Sequence, residues 1–213
     1  MSFAFPKIYP ILDSSCIPTV GRAKFLKTLG ESLSLAGVTL MEYRNKSATD
    51  DEILADAAVL RAAMPSKKIK LILDDRVHLV EQTAFDGVHV DAGDMTPAAA
   101  RRILGPGRIV GTFGGSDALV PGILEQPADY FSVGPVSPTT TKQTTKASIG
   151  PEGVKLLREQ AGSGAVLVAV GGITLETAAV VLAAGAHTVA VSAAIFGAAN
   201  PAAEFRRWME ALG

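Results

Sequence analysis

The stretch Val38-Thr-Leu-Met-Glu-Tyr-Arg-Asn-Lys-Ser-Ala-Thr-Asp-Asp-Glu52 contains one complete junction between a strand and a helix. Its first six residues are mostly apolar or β-forming, which predicts a buried strand. Thr49 stands three residues before Glu52, the spacing of a capping box that begins a helix. The stretch therefore predicts a βα unit, the building block of a parallel sheet.

The same pattern recurs along the whole chain. Seven further apolar runs bring the number of predicted strands to eight, at residues 7–12, 38–43, 70–73, 87–90, 108–111, 130–133, 165–170 and 188–191. Helix starts with proline at or near the first position are predicted at Thr96-Pro97, Gly150-Pro151 and Asn200-Pro201. Weaker helical patterns fill residues 22–35, 76–83, 116–125 and 174–184. Strands and helices are thus expected to alternate eight times.

Eight such units in 213 residues predict an α/β fold, a (β/α)8 TIM barrel that occupies residues 1–213 as a single domain. Barrels of this kind take about 250 residues, with about 200 as the lower end, so little room is left for a second domain. A doubly wound open sheet is the alternative. Asp13-Ser-Ser-Cys16, rather than a G-x-G-x-x-G motif, follows the first strand, which weakens the dinucleotide-binding form of that alternative.

Composition narrows the class of ligand. A net charge of -1 provides no overall basic field, which argues against nucleic acid and for a small anion bound by a local cluster. The N-terminal apolar stretch is broken by Pro6 and Pro10, so no signal peptide or membrane segment is expected. Cys16 is the single cysteine, which excludes an internal disulfide and fits a reducing, cytoplasmic location.

The active sites of TIM barrels lie at the C-terminal ends of the strands, where this chain gathers polar residues. Gly171-Gly172 and Ser192 end the seventh and eighth strands, and this predicts a phosphate site, although Gly-Gly could also form a tight turn only. Arg44 and Lys46 point to the same side of the second strand. They form either a positive patch for a diphosphate or a solvated surface pair.

Acidic residues follow the next two strands. Asp74-Asp75 and Asp94 predict an oxygen-ligand site for Mg2+, while the alternative is that Asp74-Asp75 caps the following helix. The polar loop that contains Thr139 and Lys142 is either solvated or functional. His89 is expected to be a packed residue, and Trp208 is expected to pack in the last helix.

These features together resemble the thiamine phosphate synthase family. The matching stretches occur in order along nearly the whole chain, at residues 37–46, 71–77, 86–90 with Asp94, 133–142, 170–173 and 191–192. The resemblance implies a Mg2+-dependent transferase that joins hydroxymethylpyrimidine diphosphate to thiazole phosphate and releases diphosphate. The expected partners are therefore small phosphorylated molecules, with no nucleic acid and no membrane.

The resemblance also implies a role for each rim residue. Arg44, Lys46 and Lys142 would contact the diphosphate and act in catalysis, while Asp75 and Asp94 would bind the metal. Glu42 and Asp74 would lie beside the pyrimidine. The thiazole phosphate would be held by a further set, Thr139, Thr141, Gly171, Gly172, Val191 and Ser192.

The chain departs from the family pattern mainly on the pyrimidine side. Glu42 and Asp74 stand where the family usually has Gln and Asn. Phe113-Gly-Gly115 replaces a Ser-Thr-His type of stretch, and Asp91-Ala-Gly93 replaces Gly-Gln-Glu. Recognition of the pyrimidine is therefore expected to differ.

Two other functions remain open at the level of sequence. Thiazole tautomerases share the fold and the thiazole phosphate site but lose the diphosphate and metal residues, most of which this chain retains. A non-catalytic barrel that binds a phosphorylated ligand is the third alternative. The oligomeric state is left open, and a homo-oligomer is compatible with the sequence.

Overall fold

The computed structural model describes residues 3–91, 93, 95–139 and 145–213, and its eight parallel strands close into a barrel. Each strand pairs with the next along the chain, and the last pairs with the first. The strands are β1 (Ile8–Asp13), β2 (Leu40–Arg44), β3 (Lys70–Asp74), β4 (Gly87–Val90), β5 (Ile109–Gly115), β6 (Tyr130–Val133), β7 (Leu167–Val170) and β8 (Thr188–Val191). The predicted (β/α)8 barrel is confirmed.

Helices cover the outside of the barrel. Within the described ranges they are α1 (Arg22–Leu35), α2 (Asp50–Ala63), α3 (Pro97–Leu104), α4 (Gly150–Ala161), α5 (Leu175–Ala183), α6 (Ala193–Phe196) and α7 (Pro201–Leu212). Three predicted helix starts are confirmed, because Thr49, Thr96 and Asn200 each accept a hydrogen bond from the backbone N–H three residues later. This satisfies donors that lack a partner within the helix.

The helix predicted at residues 76–83 is wrong. The segment forms a 3-10 turn at Val77–Leu79, followed by irregular turns. Val77, Val80 and Thr83 are β-branched, which lowers helix propensity. The Thr83 hydroxyl also bonds to the local backbone, donating to the Val80 carbonyl and accepting from the Phe85 N–H. These bonds compete with those of a regular helix.

The helix predicted at residues 116–125 is also wrong. The segment contains a single 3-10 turn, Ile123–Glu125. Pro121 and Gly122 precede this turn, and Gly122 has a φ of 70°. Proline removes a backbone donor and the left-handed glycine turns the chain, so a continuous helix cannot pass through.

Apolar side chains fill two regions. The larger core lies between the barrel and its helices and includes Trp208, which is fully buried as expected and donates to Glu204 over 2.9 Å. The smaller core lies inside the barrel and contains Leu40, Ile72, Ile109 and Val168. Because side chains fill this inner core, a cavity for a ligand must lie at an end of the barrel and not at its centre. No helix among the described residues is long and apolar enough to cross a membrane.

Gly111 in β5 makes room for one large side chain inside the barrel. A Cβ atom at Gly111 would lie 1.9 Å from Cζ of Tyr130, which is far inside van der Waals contact. The ring of Tyr130 is fully buried and therefore occupies the volume that a side chain at residue 111 would need. The Tyr130 ring can occupy this position only because Gly111 has no side chain.

We expect Gly111→Ala to lower the free energy of unfolding by about 1–3 kcal/mol, the usual cost of overpacking a core. For a chain of this length, that corresponds to a fall in the thermal midpoint of roughly 2–4 °C per kcal/mol. Gly107→Ala is the matched control, because its Cβ would meet nothing within 4 Å. Equal midpoints for the two variants would contradict this packing account.

Candidate active site

A cavity of about 660 Å³ opens at the C-terminal end of the barrel. All eight strands or the loops that follow them contribute to its wall. Of the rim residues predicted from the sequence, it is lined by Glu42, Arg44, Asp74, Thr139, Gly171, Gly172, Val191 and Ser192. Asp94, Thr141 and Lys142 lie outside the described residues, so their placement stays a prediction.

The two cations of β2 lie within a network of carboxylates. Arg44 donates to Asp13, and its Nε lies 3.7 Å from Oδ2 of Asp74. Lys46 Nζ lies 3.3 Å from the same Asp74 oxygen and also contacts Asp75. The expected patch of positive charge is therefore an ion-paired cluster, and its carboxylates hold both cations at the rim.

Asp75 occupies an unusual backbone conformation. Its φ is 59°, a left-handed value that is rare for a residue with a side chain. Its backbone N–H donates to the His89 carbonyl over 2.8 Å, which fixes the turn at the end of β3. Among the described residues, its Oδ1 is buried and has no hydrogen-bond partner. An unpaired buried carboxylate oxygen is suited to a cation.

Asp75 is the one predicted metal ligand that the structure describes. The described ranges contain no group of three or more His, Cys, Asp or Glu side chains placed to hold a metal ion. Mg2+ does not need such a group, because it is often bound by one or two carboxylates, waters and phosphate oxygens of the substrate. The residues present fit a metal that arrives with its substrate.

The opposite wall of the cavity contains the loop after β6 and the two glycines that follow β7. Ser137 N–H donates to Gly171 O over 2.9 Å, so the loop after β6 lies against the end of β7 and brings Thr139 to the cavity. Gly172 has a φ of 61°, and a Cβ there would lie 2.3 Å from the Pro138 carbonyl oxygen. Glycine is therefore required at residue 172. Ser192 is the N-cap residue of α6 and makes no side-chain cap bond.

Four buried polar side chains form the floor of the cavity. Tyr9 donates to Oε2 of Glu42 over 2.9 Å, and the Tyr9 and Tyr130 hydroxyl oxygens are 3.1 Å apart. The Tyr130 hydroxyl lies 3.0 Å from Nδ1 of His89. His89 is packed and hydrogen-bonded as expected, but it also lines the cavity. Tyr9 and Tyr130 were not singled out in the sequence, although both occupy inward-facing positions of strands.

Burial shifts the pKa of two carboxyl groups at this floor. Burial, with the nearby charge of Asp74, raises the pKa of Glu42 to about 8. Burial also raises the pKa of Asp74 to about 6; Lys46 and Arg44 oppose this shift and Asp75 adds to it. Both carboxyl groups are therefore poised to carry a proton under conditions in which an exposed carboxyl group is ionised.

Phe113 and Lys146 form a second feature that the sequence did not reveal. Phe113 faces the cavity near the end of β5. The register of the strand pairing shifts between Phe113 and Gly115. Lys146 Nζ lies 3.6 Å from the centre of the Phe113 ring, and both residues line the cavity. A cation held over an aromatic ring thus occupies the side where the resemblance leads one to expect hydroxyl and imidazole groups.

Comparison with known proteins gives a consistent result. The family described as thiamine monophosphate synthase matches residues 8–195. Proteins named thiamine-phosphate synthase from Koribacter versatilis and Agrobacterium fabrum are both 35% identical, covering 88% and 87% of each chain respectively. One from Chloroflexus aurantiacus is 31% identical and covers 94% of this chain and 90% of its own.

Solved structures agree with the sequence comparison. A thiamine phosphate pyrophosphorylase from Pyrococcus furiosus superposes with a TM-score of 0.75 at 28% identity, covering 97% of each chain. A 3-hexulose-6-phosphate synthase has a TM-score of 0.72 at 17% identity, covering 98% of this chain and all of its own. This second similarity shows the barrel fold alone.

The raised pKa of Glu42 predicts how stability depends on pH. An unfolded Glu loses its proton near 4.5 and the folded Glu42 near 8, so folding is favoured most below the lower value. The contribution of Glu42 to stability is lost as pH rises through this window, at about 1.4 kcal/mol per pH unit. Glu42→Gln removes this loss and retains an oxygen that accepts from Tyr9.

We therefore expect Glu42→Gln to unfold at the same temperature as the native chain at pH 5 and several degrees higher at pH 8.5. Thermal unfolding followed by circular dichroism at both pH values provides the measurement. Glu210→Gln, at an exposed position, is the control and should follow the native chain throughout. A Glu42→Gln variant that is equally stable or less stable at pH 8.5 would refute the assignment.

Proposed function

The chain belongs to the thiamine monophosphate synthase family and is a transferase of thiamine biosynthesis, and from this premise we propose which side of its cavity binds each substrate. The site joins hydroxymethylpyrimidine diphosphate to thiazole phosphate and releases diphosphate. The observation that carries the proposal is that Arg44 and Lys46 both approach Oδ2 of Asp74, a residue of the cavity lining, and that Lys46 also contacts Asp75.

The diphosphate binds on the side of β2 and β3. Arg44 lines the cavity, and carboxylates hold both Arg44 and Lys46 at its rim, so little reorganisation is needed when an anion arrives. Asp75, which has a buried oxygen without a hydrogen-bond partner, would hold Mg2+, and Asp94 is the second ligand that the resemblance implies. When bound, Mg2+ neutralises charge that develops on the departing diphosphate. The resemblance implies Lys142 as a third cation for the same leaving group.

The thiazole phosphate binds on the side of β6, β7 and β8. Thr174, the N-cap residue of α5, lines this side of the cavity, and a phosphate is attracted to the N-terminus of a helix. Gly171 and Gly172 let the backbone approach the phosphate oxygens, while Val191 and Ser192 close the pocket beside them. Thr139, which lines the cavity, supplies a hydroxyl group, and the resemblance implies a second one from Thr141.

This arrangement supports a dissociative transfer. The bond between the pyrimidine methylene carbon and the diphosphate oxygen breaks, and the electron pair leaves with the diphosphate. The methylene carbon then forms a bond to the thiazole nitrogen, whose lone pair supplies the electrons. No proton needs to be removed, which agrees with the absence of an activated nucleophile among the described residues of the rim. Glu42 and Asp74 face the ring that carries the positive charge.

The tautomerase alternative is disfavoured by the acidic and basic residues. An isomerase that acts on thiazole phosphate alone has no use for a diphosphate and metal side, whereas Arg44, Lys46 and Asp75 converge here. A non-catalytic barrel would likewise not require the strained backbone of Asp75. The single cysteine is consistent with a reducing compartment, and the location we assign is the cytoplasm.

Purified protein is expected to form thiamine phosphate when supplied with both substrates and Mg2+, because the cations and carboxylates of the diphosphate side are in place. The product is measured by chromatography after conversion to a fluorescent derivative. A chelator that removes Mg2+ should abolish the signal, and added Mg2+ should restore it. Tight binding of thiazole phosphate without formation of thiamine phosphate would contradict the synthase assignment.

A variant of the metal side tests the role of Asp75. Asp75→Asn keeps the shape of the side chain and tolerates the left-handed backbone, but it loses the charge that attracts the cation. The Mg2+ concentration that gives half-maximal activity should rise at least about tenfold, the lower bound for removing an outer partner of a metal ligand. Asp51→Asn, on the exposed first turn of α2, should leave this concentration unchanged. An unchanged value for Asp75→Asn would exclude Asp75 as the ligand.

A further inference from the structure

Three arginines make the same set of hydrogen bonds at the face of the barrel opposite the cavity, where the strands begin. They are Arg61 of α2, Arg101 of α3 and Arg158 of α4. Nη1 of each donates to two backbone carbonyls, one at the end of its own helix and one just before the next strand. Nη2 of each binds the side chain of the residue that precedes the following strand. We call each set an arginine clamp.

In the first two clamps the residue bound by Nη2 is an aspartate, which also pairs with a strand. Asp86 donates its N–H to the Leu71 carbonyl over 2.8 Å, and its Oδ2 accepts from the Leu71 N–H over 3.0 Å. Asp129 and Val110 make the same two bonds, both of 2.7 Å. The carboxylate thus joins an arginine to the first residues of a strand.

The third clamp has an imidazole in place of the carboxylate. His187 donates its N–H to the Leu167 carbonyl over 2.9 Å, and its Nδ1 accepts from the Leu167 N–H over 3.3 Å. Nη2 of Arg158 lies 2.9 Å from the same Nδ1. Both partners of Nδ1 are donors, because a guanidinium has no acceptor. Nδ1 must therefore be unprotonated in the closed clamp.

The backbone holds Arg158 beside the histidine. Nε of Arg158 donates to the Gly185 carbonyl over 2.9 Å, and Nη1 donates to the carbonyls of Gly162 and Ala165. Gly185 has a φ of 110°, and a Cβ there would lie 2.6 Å from Cγ of Arg158. Glycine at this position makes room for the arginine. Arg158 cannot move away from His187 without breaking these bonds.

We propose that His187 makes the third clamp sensitive to pH, because a proton on Nδ1 removes the acceptor of Arg158 and Leu167 and places a second positive charge beside the guanidinium. The third clamp then opens, while the two clamps that contain aspartate stay closed. It joins β7 to β8, the strands that lead to Gly171 and Ser192 at the cavity. The proposal does not depend on which substrates the cavity binds.

The direction of the pH effect follows from the electrostatics of the site. Burial and the charge of Arg158 lower the pKa of His187 from its usual value of 6.5. The unfolded chain therefore binds this proton at a higher pH than the folded chain does. The contribution of His187 to stability is complete above pH 6.5 and is lost as the pH falls below that value. Carboxylates lose their charge only in more acidic solution.

The elements around His187 place no second cation or carboxylate in contact with its ring among the described residues. Arg158 of α4 is the charged group that acts on the ring. The strands β7 and β8 contain no charged residue, and the one in α5, Glu176, lies in the first turn at the far end of that helix. Lys7, before β1, donates to the carbonyl of Gly213. The protonation of His187 is therefore opposed by Arg158.

Amide hydrogen exchange measures the opening of each clamp separately, because each clamp holds one strand N–H. These are the amides of Leu71, Val110 and Leu167. The readout is the protection factor of Leu167 divided by that of the other two, at pH 7.5 and pH 5.5. This ratio removes changes in stability that all three amides share. In the native chain it should fall about fivefold at pH 5.5, the effect of one net hydrogen bond of about 1 kcal/mol.

Three variants separate the imidazole from other causes. His187→Asn keeps an acceptor oxygen but does not titrate, so its ratio should be the same at both pH values. His78→Gln is the matched control, because His78 is exposed and pairs with Asp50 instead of an arginine clamp. It should show the native fall. Asp129→His transfers the imidazole to the second clamp, so the protection of Val110 should then fall at pH 5.5 relative to the first clamp.

Three results would overturn the proposal. The first is a ratio that does not change with pH in the native chain, and the second is an equal fall in His187→Asn. The third is an Asp129→His variant in which the protection of Val110 does not respond to pH, because the imidazole would then not be what makes a clamp sensitive.

Discussion

Closure of eight parallel strands is the constraint on which the rest of this structure depends. Because the strands are parallel, all of their C-terminal ends meet at one rim, and because side chains alternate, every second residue points into the barrel. Asp13, Arg44 and Asp74 come from three successive strands, yet they form one ion-paired group. Closure thus assembles the site without any long insertion.

The same closure forces polar groups into a confined space, and the chain accommodates them by pairing. The cations of β2 are held by carboxylates, and the floor is a row of hydrogen bonds that ends at Glu42. Glu42 and Asp74 stand where the family usually has amides, and burial raises the pKa of both carboxyl groups. The two sides of the cavity therefore differ in character: one contains Gly171 and Gly172, and the other balances cations against carboxylates.

The sequence predicted the strands well because strands buried on both faces leave continuous apolar runs. It also predicted the glycine-rich wall and most of the polar rim, since these residues follow strands directly. It failed at residues 76–83, where β-branched residues and the Thr83 hydroxyl outweigh an apparent helical period. It could not reveal that Tyr9 and Tyr130, 121 residues apart, share a hydrogen bond, because that contact depends on barrel closure and on the space above Gly111.

A crystal structure with Mg2+, the pyrimidine diphosphate and an unreactive thiazole phosphate analogue would test the account most directly. We predict that the metal lies on Asp75, that the pyrimidine ring lies beside Glu42 and Asp74, and that the thiazole phosphate lies against Gly171 and Gly172. A pyrimidine ring seated beside β7 and β8, or a metal that does not touch Asp75, would contradict it.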